Sequence, residues 1–109
     1  MPYDNNLADR IRTELIGLPG FSEKKMFGGV GFMLHGNMAC GVSGNDMIVR
    51  VGPDRHAAAL AKPHTRVFDM TGKPMSGWVI VEPGGFKTDG DLKGWIDQGV
   101  AFARTLPTK

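Results

Sequence analysis

Short apolar segments set apart by glycine-centred turns constrain this chain more than any other feature. Residues 26–34 are apolar and glycine-rich, His35-Gly36-Asn37 supplies turn chemistry, residues 38–42 are apolar again, and Gly44-Asn45-Asp46 leads into residues 47–51. Glycine and asparagine accept the positive φ that tight hairpins demand. In the last segment period-two alternation puts Met47, Val49 and Val51 on one face and Ile48 and Arg50 on the other. The pattern predicts three antiparallel strands in a meander, with the first hairpin turning at His35 to Asn37 through positive φ at Gly36 and Asn37.

The flanks read as helices and further strands. Asp4, Asn5 and Asn6 are good N-caps, Leu7, Ile11 and Leu15 recur every four positions, and Gly17 with Pro19-Gly20 ends this amphipathic helix before a loop through Ser22. Gly52-Pro53-Asp54 stops the third strand and opens a short helix over residues 57–61, which Pro63 closes. Residues 65–69 read as a short strand, Thr71-Gly72-Lys73-Pro74 as a turn, and residues 77–82 as another strand. Asp89 or Asp91 caps a last helix whose stripe of Leu92, Trp95, Ile96, Val100, Ala103 and Leu106 is interrupted by Gly99. The expected fold class is α+β, two-layer, with an antiparallel sheet of four to five strands and helices packed mainly on one face. At 109 residues, a single domain over 1–109 is expected.

With 41% hydrophobic and 22% charged residues, the chain has the balance of a folded globular protein, not of a disordered one. No apolar run approaches the roughly 18 to 20 residues of a membrane span, and residues 1–6 lack the blocks of a secretory signal. Cys40 is the only cysteine, which rules out an intrachain disulfide and fits a cytoplasmic location without a membrane partner. The net charge of +2 is mildly basic, short of the dense footprint of a dedicated nucleic-acid domain.

The run Lys25-Met26-Phe27-Gly28-Gly29-Val30-Gly31-Phe32 resembles the opening strand motif of the N-terminal domain of the TfoX/Sxy family. The resemblance continues through Gly36-Asn37-Met38, residues 47–51, the segment around Pro63, Gly72-Lys73-Pro74-Met75-Ser76-Gly77 and the Trp95 helix, and so covers nearly the whole chain. It implies a small domain with an antiparallel sheet, related to regulators of natural competence thought to act alongside a cyclic-AMP receptor protein. Those longer regulators carry a helical C-terminal domain, which this sequence is expected to lack, and His64 stands where many relatives carry an aromatic residue. The resemblance supplies no catalytic residues.

Candidate chemistry is sparse. Gly28-Gly29-Val30-Gly31 is not followed by the helix a phosphate loop must open, so a structural role is expected. Cys40 would be a nucleophile if His35 lay beside it, but alternation with Met38 and Val42 favours a small buried hydrophobe. His35, His56 and His64 lack zinc-site spacing; His35 reads as a turn residue and the others as solvated or capping. Arg50, Arg55, Lys62, Arg66 and Lys73 form a candidate basic surface, read as a solvated face because no aromatic residues interleave with them. The methionines read mainly as core filling, with an adaptable docking surface as the second reading, and Trp78 and Trp95 as anchors of the sheet–helix core. The expectation is a non-enzymatic regulatory or protein-interaction module without catalytic, cofactor-binding or metal residues. It would act through a protein partner, or a second copy of itself, and without sequence-specific DNA binding by the isolated domain. The alternative is a small-molecule-binding protein or enzyme with a cleft near Cys40 and the histidines, which requires those side chains to converge on a concave surface.

Overall fold

The computed structural model describes residues 3–26, 28–69 and 75–108. Helix α1 (Asn5–Leu15) begins where the Asp4 carboxylate accepts the backbone N–H groups of Asn6 and Leu7 at 2.9 and 3.2 Å, satisfying two donors that a helix start otherwise leaves orphaned. Its expected stripe of Leu7, Ile11 and Leu15 is buried, together with Ala8.

Strands β1 (Phe21–Met26) and β2 (Gly29–Leu34) pair antiparallel, which corrects the expectation of one strand over residues 26–34. The sheet's first hairpin is thus the one through Gly28, at φ 72°, and the hairpin at His35 is the second. Strand β1 hid in the sequence because it lies at a sheet edge. Ser22, Glu23, Lys24 and Lys25 are exposed on both of its faces, and such charges discourage pairing with another chain.

The positive φ angles of the second hairpin fall on His35 (51°) and Gly36 (83°) rather than on Gly36 and Asn37. A two-residue turn of this hand needs both central residues in the left-handed region. Asn37 instead opens β3 (Asn37–Ser43) as a buried polar side chain, its amide donating to the Pro107 carbonyl at 2.8 Å and tying down the chain beyond the last helix.

Strands β4 (Asp46–Arg50), β5 (Thr65–Val67) and β6 (Trp78–Val81) complete one antiparallel sheet in the order β1-β2-β3-β4-β6-β5. The described residues therefore form six strands rather than four to five, the addition being β1. A 3-10 turn (Pro53–Arg55) runs into the short helix α2 (His56–Leu60), and a second (Pro83–Phe86) precedes α3 (Asp89–Ala103). Thr88, not Asp89 or Asp91, caps α3, its hydroxyl accepting the Asp91 N–H at 3.0 Å. The two aspartates lie in the first turn, where their charge suits the positive end of the helix dipole.

The helices cover one face of the sheet, where Phe32, Cys40, Val42, Met47, Val49, Val79 and Val81 pack against Leu7, Ile11, Ala59, Ile96 and Val100. Register shifts between Phe32, opposite Cys40, and Met33, opposite Met38, leaving Ala39 as the extra residue of a bulge. Gly99 meets this bulge: a Cβ there would lie 2.3 Å from the Ala39 carbonyl oxygen. Gly99 thus lets α3 approach the sheet closely at the bulge and is a buried part of the stripe, not an interruption of it.

The opposite face carries a smaller apolar cluster of Ile48, Phe68 and Ile80, with Met38, Met75 and Trp78 half-buried around it. The connection from β5 to β6 supplies Phe68 and Met75, whose backbones are joined by a 3.0 Å hydrogen bond, and the Phe68 and Trp78 rings stack at 5.6 Å. Trp78 therefore belongs to the helix-free face, contrary to its expected place in the sheet–helix core, whereas Trp95 is buried on the helical side. The turn expected at Thr71 to Pro74 lies outside the described residues.

Candidate functional site

Cys40 and the histidines do not converge. Cys40 is fully buried in the helix-side core, and burial pushes its thiol up from 9.0 to about 12. His35 sits in the β2–β3 turn, packed where Gly20 has no Cβ; His56 is half-buried at the start of α2, and its Nε2 finds no partner among the described residues. His56 is therefore not the solvated or capping side chain expected: its Nε2 is buried, and Arg55 takes the N-cap position of α2. His64 is exposed, holds φ at 65°, and lays its ring over Gly84. No group of three His, Cys, Asp or Glu residues among those described is placed to hold a metal, and Gly29-Val30-Gly31 continues as strand β2 rather than opening a helix.

A direct consequence is chemical inertness of the native thiol. At pH 8 Cys40 should stay protonated and resist an aromatic disulfide reagent until the chain is denatured, because the thiolate is the reactive form. Labelling of the native chain at the rate of a free thiol would contradict this burial. The raised value also means that the folded state holds a proton the unfolded state gives up, so this contribution to stability is present below pH 9.0 and lost as pH rises towards about 12.

The basic residues have distinct surroundings. Arg66 on β5 is neutralised by Asp46 at 2.8 Å and Glu82 at 3.3 Å. Arg55 is exposed on the 3-10 turn after β4, the Lys62 ammonium lies 5.1 Å from the Trp95 ring centroid, and Lys73 is outside the described residues. Arg50 stands at the far end of β4 from Asp46, the partner of Arg66.

Arg50 has the most distinctive environment. Its guanidinium lies 5.0 Å from the Trp78 ring centroid and 5.3 Å from that of Phe102 on α3, so two aromatic faces hold it by cation–π contact. It forms no ion pair or side-chain hydrogen bond with any described residue, and partial burial lowers its pKa. Beside it lies a recess of about 170 Å³, bounded also by Gly52, Pro53, Ser76 and Gly77. Gly52, at φ 88°, lets the Phe102 ring approach, since a Cβ there would sit 2.4 Å from that ring. Sequence reasoning singled out Arg50 but missed its aromatic partners, which come from strand β6 and helix α3 far along the chain.

A second, larger recess of about 410 Å³ lies between the loop carrying Lys62 and His64 and the face of α3 carrying Gly90, Asp91, Gly94 and Gln98. Trp95 forms part of its wall, its indole N–H donating to the Gly85 carbonyl at 3.1 Å. Cys40 lines neither recess.

A six-stranded antiparallel sheet, helices on one face and recesses at its surface together define a small open-sheet α+β domain. The family model for the TfoX N-terminal domain matches residues 14–103, and the chain belongs to that family. No curated protein and no solved structure matches it.

Proposed function

We propose that this chain is a non-enzymatic regulatory module that works by docking another protein on the helix-free face of its sheet. The observation carrying this reading is the band of half-buried Met38, Met75 and Trp78 on that face, with Met33 paired to Met38 across the neighbouring strands and Arg50 adjoining through Trp78. Methionine repacks against varied partners, and tryptophan and arginine are the residues that most often anchor protein interfaces. Membership of the TfoX N-terminal family supports a regulatory setting resembling that of competence regulators. The solvent side of α3, the longest helix, bears Asp89, Asp91 and Asp97 against Lys93 and the C-cap Arg104, a mixed-charge surface rather than a basic one suited to phosphates, so sequence-specific DNA recognition is no part of the reading.

The test is selection of binders from a random-sequence peptide library on the purified chain, followed by mapping of the contacted residues. Binders should map to the methionine band, and Met38→Lys, which places a charge in it, should weaken them about tenfold or more. Failure to select any peptide, or binders that map to α1 and α3 and ignore Met38→Lys, would count against the proposal. A parallel selection from random DNA should yield no motif, whereas one bound at nanomolar affinity and preferred about a thousandfold would overturn it.

A further inference from the structure

We infer that the Arg50 recess is a carboxylate-binding subsite that receives an aspartate or glutamate side chain of the docked partner, an inference that rests on the docking reading above. An arginine drawn partly out of water loses hydration that an ion pair ordinarily replaces. In this fold the other arginines that are not fully exposed do have such partners: Arg12 engages Asp9 and Glu23, and Arg10 engages Asp89. Arg50 is half-buried, and among the described residues it has only the two aromatic faces. Both ring centroids lie about 5 Å from the guanidinium carbon, and no described residue accepts a side-chain hydrogen bond from its N–H donors.

A guanidinium held against two rings is restrained before any ligand arrives, so an incoming anion meets a donor fork that is partly ordered by the fold. The fork matches a carboxylate, which can accept two parallel N–H bonds. Among the described residues the recess wall adds no acid: its other members are Gly52, Pro53, Ser76, Gly77 and the two aromatics, and Ser76 is exposed. Asp54, the neighbouring carboxylate in sequence, is exposed and forms no pair with Arg50.

Size and charge narrow the ligand. A volume of about 170 Å³ is below the roughly 300 to 1,000 Å³ of small-molecule and cofactor sites, and suits the end of one side chain. A phosphate group carries more charge and more acceptor atoms than a single guanidinium can satisfy. Trp78 lines the recess and also borders the methionine band, so a chain lying across the band passes this opening.

The direct experiment is a titration of the purified chain with N-acetyl-glutamate amide, N-acetyl-glutamine amide and inorganic phosphate. It is followed by the NMR signals of the Arg50 Nε–H and the Trp78 indole N–H. The glutamate probe should shift both signals saturably, in the millimolar range expected of so small a ligand, while the isosteric glutamine probe should leave them unmoved. This comparison uses the unsubstituted chain, so it does not depend on a variant folding. Arg50→Lys, which keeps the charge but not the fork, should weaken the response about tenfold. Equal responses to the two amides, no response to either, an undiminished response in Arg50→Lys, or tighter binding of phosphate would each overturn the inference.

In the peptide selection, binders should share one acidic position whose change to the amide weakens binding about tenfold in the native chain and little in Arg50→Lys. Binders that map to the methionine band but lack an acidic position would overturn the subsite and leave the docking reading standing. A positive titration with no binders on the band would do the reverse.

Discussion

Replacing Trp95 by alanine should lower the stability of the fold by about 3 to 5 kcal/mol, the range for a large aromatic side chain removed from a core. The residue is only 5% exposed and joins three parts of the structure. Its ring packs in the helix-side core, its indole N–H holds the Gly85 carbonyl of the 3-10 turn before α3, and Lys62, just beyond α2, lies over its face. Truncation would forfeit the burial, leave the Gly85 carbonyl without its donor, and extend the neighbouring 410 Å³ recess inward. Water entering from that recess can satisfy the carbonyl, which favours the lower half of the range. Trp95→Phe separates the contributions, because it keeps most of the ring and loses the hydrogen bond, and should cost about 1 kcal/mol from that bond. Urea denaturation checks both; a midpoint unchanged by Trp95→Ala would show that the ring contributes nothing to the core.

Much of this architecture is legible in the sequence because periodicity reports burial directly. Leu7, Ile11 and Leu15, and the stripe from Leu92 to Ala103, are where their spacing puts them, and Met47, Val49 and Val51 face the helices as alternation requires. What escaped is governed by tertiary context. Strand β1 earns its place through pairing with β2 and through Arg12, whose bonds to Glu23 lower that carboxylate's pKa and tie the edge to α1. Neither interaction leaves an apolar pattern in FSEKKM. The cap of α3 was misplaced because Thr88, Asp89 and Asp91 are all competent N-caps, and backbone geometry selects among them. Trp78 alternates as well towards one face as the other until the β5–β6 connection supplies Phe68 and Met75 to cover it. The candidate site was legible only as single letters: Arg50 stood among five basic residues, and nothing local foretells that Trp78 and Phe102 close on it.

The glycines of α3 give a prediction whose sign differs between two positions on one helix. Gly94 has no atom beyond its own stretch of helix within 4 Å of where a Cβ would lie, so Gly94→Ala should stabilise the protein by up to about 1 kcal/mol, the helix-propensity difference between the two residues. Gly99→Ala gains the same propensity but sets its methyl 2.3 Å from the Ala39 carbonyl oxygen and 3.0 Å from its carbon. Both contacts are with backbone at the bulge of a central strand, so no side-chain rotation relieves them, and α3 must move outward. Overpacking of this kind typically costs about 1 to 3 kcal/mol, enough to cancel the propensity gain, and Gly99→Val should be worse. Urea midpoints should therefore rise for Gly94→Ala and fall for Gly99→Ala, and equal increases in both would show that α3 does not rest on the bulge. The displacement also has a functional signature. Phe102 lies three residues beyond Gly99, close to one turn of helix, and it forms one wall of the Arg50 recess. An outward shift of α3 at Gly99 loosens that wall, so Gly99→Ala should broaden or shift the Arg50 Nε–H signal and weaken binding of the glutamate probe, whereas Gly94→Ala should leave both as they are. Two substitutions remote from the recess, of opposite effect on stability, thus test whether the packing of α3 on the Ala39 bulge holds the guanidinium in place.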